Sequence, residues 1–376
     1  MKEKRSDWWK ATAGLAVVAV LAVGLGLLFR GRPQPPVATG PTATATTTYT
    51  PTTTPVSAAT PTPALPEGTP GPRRLSAAVQ VPVPEGFLDL EDVEGNTIVG
   101  RTRVSDVPQI VLMDLVSGDV RQISHTVGRG SYAAHISGPW VVWIEIAESA
   151  DGSDERRLKA YDRETDHEFA LEAAPYDLDL SGDVVVWEEW RGQETNWDVF
   201  AYNLRTGQQW VIAERRGAQE YPRVSGSWVI YENMDEQGTI LRAYHLQSGE
   251  DLVLGQIYYT RYTAADRPLH DISNGLVVWA APSGEFDYMH QLMGTDLNNP
   301  DAQPFPIMTG NFGTLRLFDG ILVYHEGRGK VLYDVQRGER LATVEGSRVV
   351  STLVISGAQV MWITTDDHLY VARIER

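Results

Sequence analysis

Short apolar runs, each led by a polar turn, punctuate the C-terminal three hundred residues and return on a regular beat. The clearest instance is Ile136-Ser-Gly-Pro-Trp-Val-Val-Trp143. It recurs as Leu180-Ser-Gly-Asp-Val-Val-Val-Trp187, Val224-Ser-Gly-Ser-Trp-Val-Ile-Tyr231, Ile272-Ser-Asn-Gly-Leu-Val-Val-Trp279, Leu317-Phe-Asp-Gly-Ile-Leu-Val-Tyr324 and Ile355-Ser-Gly-Ala-Gln-Val-Met-Trp362. Val93-Glu-Gly-Asn-Thr-Ile-Val-Gly100 is a degenerate first copy. The closing positions, 100, 143, 187, 231, 279, 324 and 362, stand 43, 44, 44, 48, 45 and 38 residues apart. Each copy closes on a short apolar run rich in Val and Trp, which predicts a strand. The Ser-Gly pair between two such runs predicts a tight turn, since Gly tolerates positive φ.

A second phrase follows each first one: Met113-Asp-Leu-Val-Ser-Gly118, Tyr161-Asp-Arg-Glu-Thr-Asp166, Tyr202-Asn-Leu-Arg-Thr-Gly207, Tyr244-His-Leu-Gln-Ser-Gly249 and Tyr333-Asp-Val-Gln-Arg-Gly338, with a worn Thr295-Asp-Leu-Asn298. It predicts a third strand turning into a fourth. A four-stranded antiparallel meander of about 44 residues has the length of a propeller blade. One such sheet cannot bury both faces alone, whereas seven arranged radially can. The expected fold class is therefore all-β, a seven-bladed β-propeller. The seventh unit ends after its third strand, so residues 77–83, Ala-Ala-Val-Gln-Val-Pro-Val, are expected to supply its fourth strand and close the ring. Pro82 suits an edge strand, because it has no N–H to donate.

The Ile-Ser-Gly-x-x-Val-Val-Trp phrase, followed by Tyr-Asp-Leu-x-Thr-Gly, resembles the repeats of TolB-type and related bacterial cell-surface β-propellers over residues 86–376. That resemblance implies a propeller in the cell envelope that holds a protein or other ligand at one face.

The rest of the chain is organised differently. Residues 11–29 carry no charge and are mostly Ala, Val, Leu and Gly. At about 1.5 Å per residue they would span roughly 28 Å, close to the hydrocarbon thickness of a bilayer. Lys2, Lys4, Arg5 and Lys10 precede them, and Arg30 and Arg32 follow. This predicts one uncleaved transmembrane helix, residues 1–10 cytoplasmic and everything after it outside. Residues 30–76 are expected to be a disordered Thr/Pro-rich linker, with eleven prolines and thirteen threonines between Pro33 and Arg74. Residues 77–376 form the propeller, with 24 Lys/Arg against 46 Asp/Glu, a balance of −22. So acidic a domain argues against a nucleic-acid partner.

No Gly-x-Ser-x-Gly elbow, His-Glu-x-x-His or phosphate-loop motif is present. The absence of cysteine removes thiolate metal sites and thiol nucleophiles. No catalytic residue, metal or cofactor is assigned. Two constellations remain. The residue before the apolar position that opens each Ser-Gly turn reads Asp92, His135, Asp179, Arg223, Asp271, Arg316 and Val354. In a propeller these stand at one height around the channel, as a ligand-binding polar ring or as inter-blade ion pairs such as Asp179–Arg223 and Asp271–Arg316. The second constellation is on the opposite rim from the short turns, where Tyr258, Tyr259, Arg261 and Tyr262 are joined by Trp190, Arg191 and Trp197. Tyr, Trp and Arg are the residue types enriched in binding hot spots, and they also cover the ends of a blade core. The expectation is a membrane-anchored, non-enzymatic binding module for a protein, peptide or glycan. A hydrolase or lyase at the channel mouth and a structural surface spacer are the alternatives.

Overall fold

The computed structural model describes residues 73–149, 152–193, 196–236, 238–257, 268–283, 290–326, 329–344, 350–364 and 368–375. The expected transmembrane helix and nearly all of the linker lie outside this range. Among the described residues no helix is long and apolar enough to cross a membrane.

Seven antiparallel sheets follow one another along the chain. Blades 1 to 6 take residues 87–122, 128–171, 177–213, 218–256, 270–310 and 316–344, each a meander of four strands in chain order. Blade 7 takes its first three strands from residues 350–375. Its outer strand comes from the start of the domain, where Val79–Val81 pairs antiparallel with Leu369, Tyr370 and Val371. Arg74–Leu75 also pairs with the same strand, opposite Glu375 and Ile374. The expected closure is thus formed, and it reaches a few residues further upstream than residues 77–83.

The repeated phrase forms the turn between the inner and second strands. Where it reads Asn274-Gly275 and Asp319-Gly320, both residues have positive φ, as a type I′ hairpin turn demands. The Trp or Tyr that closes the phrase is buried in every blade that has one: Trp143 and Tyr231 are fully buried, and Trp187, Trp279, Tyr324 and Trp362 nearly so. Apolar clusters fill all seven junctions, and one of them joins Phe87, Leu90, Ile98 and Val111 of blade 1 to Met361, Ile363 and Leu369 of blade 7. The ring is closed by packing as well as by strand pairing. Blade 1 has Gly100 at the aromatic position because the Phe87 ring occupies that space, and a Cβ on Gly100 would lie 2.5 Å from it.

Candidate functional site

The polar ring is where the repeat places it. Asp92, Asp179 and Asp271 stand on the inner strands of blades 1, 3 and 5, and each carboxylate reaches the next blade. Asp92 accepts the backbone N–H of Ile136 at 3.0 Å, Asp179 that of Val224 at 2.8 Å, and Asp271 that of Leu317 at 2.6 Å. The bases sit between them. His135 Nδ1 is 3.6 Å from both Asp92 and Asp179. Burial opposes its charge, but the two carboxylates outweigh that and raise its pKa above the usual value. Buried Arg223 bonds Asp177 at 2.8 Å, so its direct partner lies two residues from the expected Asp179. Asp179 and Asp271 still act on Arg223 through space. Asp271 is also buried, which lifts its pKa against the pull of Arg316 and Arg223. Buried charges need such partners.

A second ring runs through the Ser-Gly turns. Ser137, Ser181, Ser225 and Ser273 each accept the backbone N–H of the turn in the following blade, from Gly182, Gly226, Asn274 and Asp319, at 2.8 to 3.1 Å. Ser356 accepts that of Gly95 at 2.8 Å, and Glu94 takes the serine's part toward Gly138 at 2.7 Å. Phe318 holds the serine position in blade 6 and has no side-chain acceptor. The repeated serine therefore links neighbours, a role that sequence reasoning gave only to the glycine's turn.

At the opposite, loop-bearing end, blade 4 carries an irregularity between Glu220 and Arg223. Tyr221 there has φ +54°, unusual for a bulky residue. Two neighbours hold its peptide groups. Glu188 of blade 3 accepts its N–H at 2.6 Å, and His270 of blade 5 donates Nε2–H to its carbonyl at 2.9 Å. His270 Nδ1 in turn faces buried Glu232 at 3.2 Å. Burial, with Asp177 close by, pushes the Glu188 carboxyl up to about 8.

The same end carries an aromatic patch on blades 2 and 3. Trp190 and Trp197 are cross-strand partners, with ring centroids 5.4 Å apart at 69°. Tyr176 meets Trp197 edge-on at 4.4 Å, and the Arg156 guanidinium lies 3.9 Å from the centre of the Tyr176 ring. Tyr176 remains 49% exposed and Trp190 46%. Arg191 points elsewhere, over Phe200 at 4.7 Å. Sequence reasoning found the two tryptophans and missed Tyr176 and Arg156, each from a neighbouring strand start with no phrase to mark it. Tyr258, Tyr259, Arg261 and Tyr262 lie outside the described residues. Among the described residues no group of three or more His, Asp or Glu is arranged to hold a metal ion.

No known protein family matches the chain by sequence, and no curated protein matches it. Solved structures do match by fold. An oligogalacturonate lyase in complex with manganese superposes with a TM-score of 0.55 at 12% identity, covering 81% of this chain and 97% of that one. The β-propeller domain of the Trilobed protease from Pyrococcus furiosus, described as having an open velcro topology, gives 0.54 at 12%, covering 81% and 95%. One of two prolyl endopeptidases gives 0.56 at 13%, and there the match spans 77% of this chain but only 47% of the other. At such identities the likeness is one of fold.

Proposed function

We propose that this protein is a membrane-anchored binding module that presents the loop-bearing face of its propeller to a protein, peptide or glycan outside the membrane, in the manner of the TolB-type propellers its repeats resemble. The observation that carries the reading is the aromatic patch. Tyr176, Trp190 and Trp197 lie edge to edge on a rigid ring, with two of the three half exposed. Large aromatics left in water cost solvation, and grouped on one rim beside an arginine they have the composition of an interaction hot spot. The uncharged stretch 11–29, with its basic N-terminal flank, supports the anchor, and the Thr/Pro composition of residues 30–76 supports a stalk.

The test is recovery of ligand from envelope extracts by full-length protein and by the Tyr176→Ala/Trp190→Ala variant. Both side chains are exposed, so the variant is expected to melt within a few degrees of the parent and to lose the ligand. Equal recovery by a folded variant would remove the patch from the binding face.

A further inference from the structure

The aromatic patch lies on an acidic stretch of the rim. Residues 148–157, 172–176 and 189–197 carry its rings and Arg156 or join the strands that do. In sequence they hold seven Asp or Glu against three Arg, more than twice the net negative charge per residue of residues 77–376. Asp177 and Glu188, engaged with Arg223 and with the Tyr221 N–H, are outside that count. Two of the three arginines are paired within the rim. Arg157 donates to Glu155 at 3.0 and 2.8 Å, and Arg191 stands 3.6 Å from Glu189. Asp154 pairs with Arg129. Glu148 and Glu172 are exposed acids of the same rim.

The patch also shows which chemistry its rings accept. The third arginine, Arg156 on blade 2, lays its guanidinium 3.9 Å from the centre of the Tyr176 ring at the start of blade 3. Arg191 does the same over Phe200 at 4.7 Å. A guanidinium is planar and weakly hydrated, so it stacks on a ring face at small solvation cost. An indole is the strongest aromatic partner for a cation. Trp190 is the half-exposed indole of the set, at 46%, and its contact with Trp197 is edge-on, at 69° rather than a flat stack.

Rings and charge together select among partners. An acidic glycan or an anionic surface would be repelled by the rim carboxylates and by the domain as a whole. A neutral glycan or an apolar peptide would use the rings and leave the carboxylates without a role. A cationic side chain with a flat head uses both, because the ring face and the carboxylates around it attract the same charge.

We infer that the partner is a protein segment bearing arginine, whose guanidinium stacks on Trp190 as Arg156 stacks on Tyr176, with the acidic rim as its counter-charge. This rests on the aromatic patch being the binding face, and it narrows that reading from a protein, peptide or glycan to a basic peptide. The contact is of the exposed kind, so each arginine contributes a modest share of the affinity and the acidic rim contributes mainly to the rate of encounter.

Full-length protein in detergent micelles, labelled with 15N at tryptophan, tests this with two probes. One is the blocked peptide Gly-Arg-Ser-Arg-Gly, and the other is the same peptide with citrulline, which keeps the shape of arginine and loses its charge. The chain has eleven tryptophans, and the Trp190 indole resonance is the one lost in Trp190→Phe. The arginine peptide is expected to shift that resonance saturably and to bind about tenfold more tightly than the citrulline peptide. Trp190→Ala, which keeps every carboxylate, is expected to weaken the arginine peptide about tenfold, and Trp190→Phe to weaken it less. The other ten indole resonances and the melting point report that each variant is folded. Equal binding of the arginine peptide by the parent and by Trp190→Ala would overturn the inference, since attraction to an acidic domain needs no ring. So would equal affinity for the arginine and citrulline peptides. A ligand from envelope extracts that depends on the patch but is not displaced by the arginine peptide would keep the binding face and overturn its assignment to arginine. A ligand recovered regardless of Tyr176 and Trp190 would remove the binding face and this inference with it.

Discussion

The hydroxyl of Ser356 accepts the backbone N–H of Gly95 at 2.8 Å, joining positions 261 residues apart across the seam where blade 7 meets blade 1. The same bond recurs between blades 2 and 3, 3 and 4, 4 and 5, and 5 and 6. It costs the repeat one small polar side chain per blade and satisfies a turn N–H that strand pairing leaves over. A net contribution of about 1 kcal/mol is expected for each such bond. Ser356→Ala and Ser181→Ala should each lower stability by about that amount in urea unfolding, with m unchanged. A loss below 0.3 kcal/mol in both would show that water replaces the serine at no cost.

The strand that closes the ring should matter far more. Without residues 73–81 the strand Leu369–Glu375 loses its outer partner along two stretches, and the reciprocal bonds between Ser76 and Arg373, at 2.8 and 2.9 Å, disappear. Blade 7 would be left with an open edge, which invites intermolecular pairing. Deleting these nine positions from the full chain is expected to lower the melting midpoint by more than any single serine variant and to promote aggregation on heating. Light scattering during a thermal ramp reads both. A midpoint equal to that of Ser356→Ala would mean that packing between blades 1 and 7 closes the ring alone.

Phe87 and Gly100 form an exchanged pair. In blades 2 to 7 the aromatic grows from the second strand, whereas in blade 1 it comes from the inner strand and the second strand gives way. Gly100→Ala must push the Phe87 ring, whose atoms would lie 2.5 and 2.6 Å from the new Cβ, and is expected to cost about 1–3 kcal/mol. Phe87→Ala should cost about 3–5 kcal/mol. In the double variant Phe87→Ala/Gly100→Trp the aromatic returns to the repeat position, so its loss should be smaller than the sum of the losses in Phe87→Ala and in Gly100→Trp alone. Additive losses in a double-mutant cycle would show that the two sites do not share one space.

This exchange illustrates how far the sequence was legible. The blade count, the strand order and the closing strand followed from phrases that repeat, because burying two faces of a small sheet imposes the same apolar pattern on each unit. The polar ring was legible for the same reason: Asp92, His135, Asp179, Arg223, Asp271 and Arg316 occupy one register. The partner of Arg223 was not, because Asp177 lies outside the repeated phrase and reaches the guanidinium across a blade junction. Tyr176 and Arg156 were invisible for a related reason. Their contact joins two blades at strand starts, where neither alternation nor turn chemistry marks a position. Gly100 looked like decay of the pattern until the ring of Phe87 accounted for it.

Stability should depend on pH through Glu188, His135 and Lys330, with Asp271, whose pKa burial also raises, acting in the same direction as Glu188. Glu188 is buried beside Asp177 and Glu220, and its pKa is pushed up to about 8 despite the Tyr221 N–H and Arg223. Between its ordinary value of 4.5 and about 8, the folded protein holds a proton that the unfolded chain has released, so stability falls as pH rises. His135 acts in the same direction, since its raised pKa gives stability below 6.5 that is lost as pH climbs through the folded value. Lys330 acts oppositely. Its folded pKa of about 8 lies below the ordinary 10.5, so above pH 8 the unfolded chain binds the extra proton and stability recovers. The expected profile of urea unfolding between pH 5.5 and 9.5 is therefore a decline to a minimum near pH 8 and a rise beyond it. Glu188→Gln keeps an oxygen for the Tyr221 N–H while removing the ionisable group. It should flatten the acidic limb, whose limiting slope from one group is about 1.4 kcal/mol per pH unit, and leave the rise above pH 8 in place. Lys330→Met should do the reverse. An acidic limb equally steep in Glu188→Gln and in the parent would mean that Glu188 is ionised in the folded protein and that its bond to Tyr221 is made by a carboxylate.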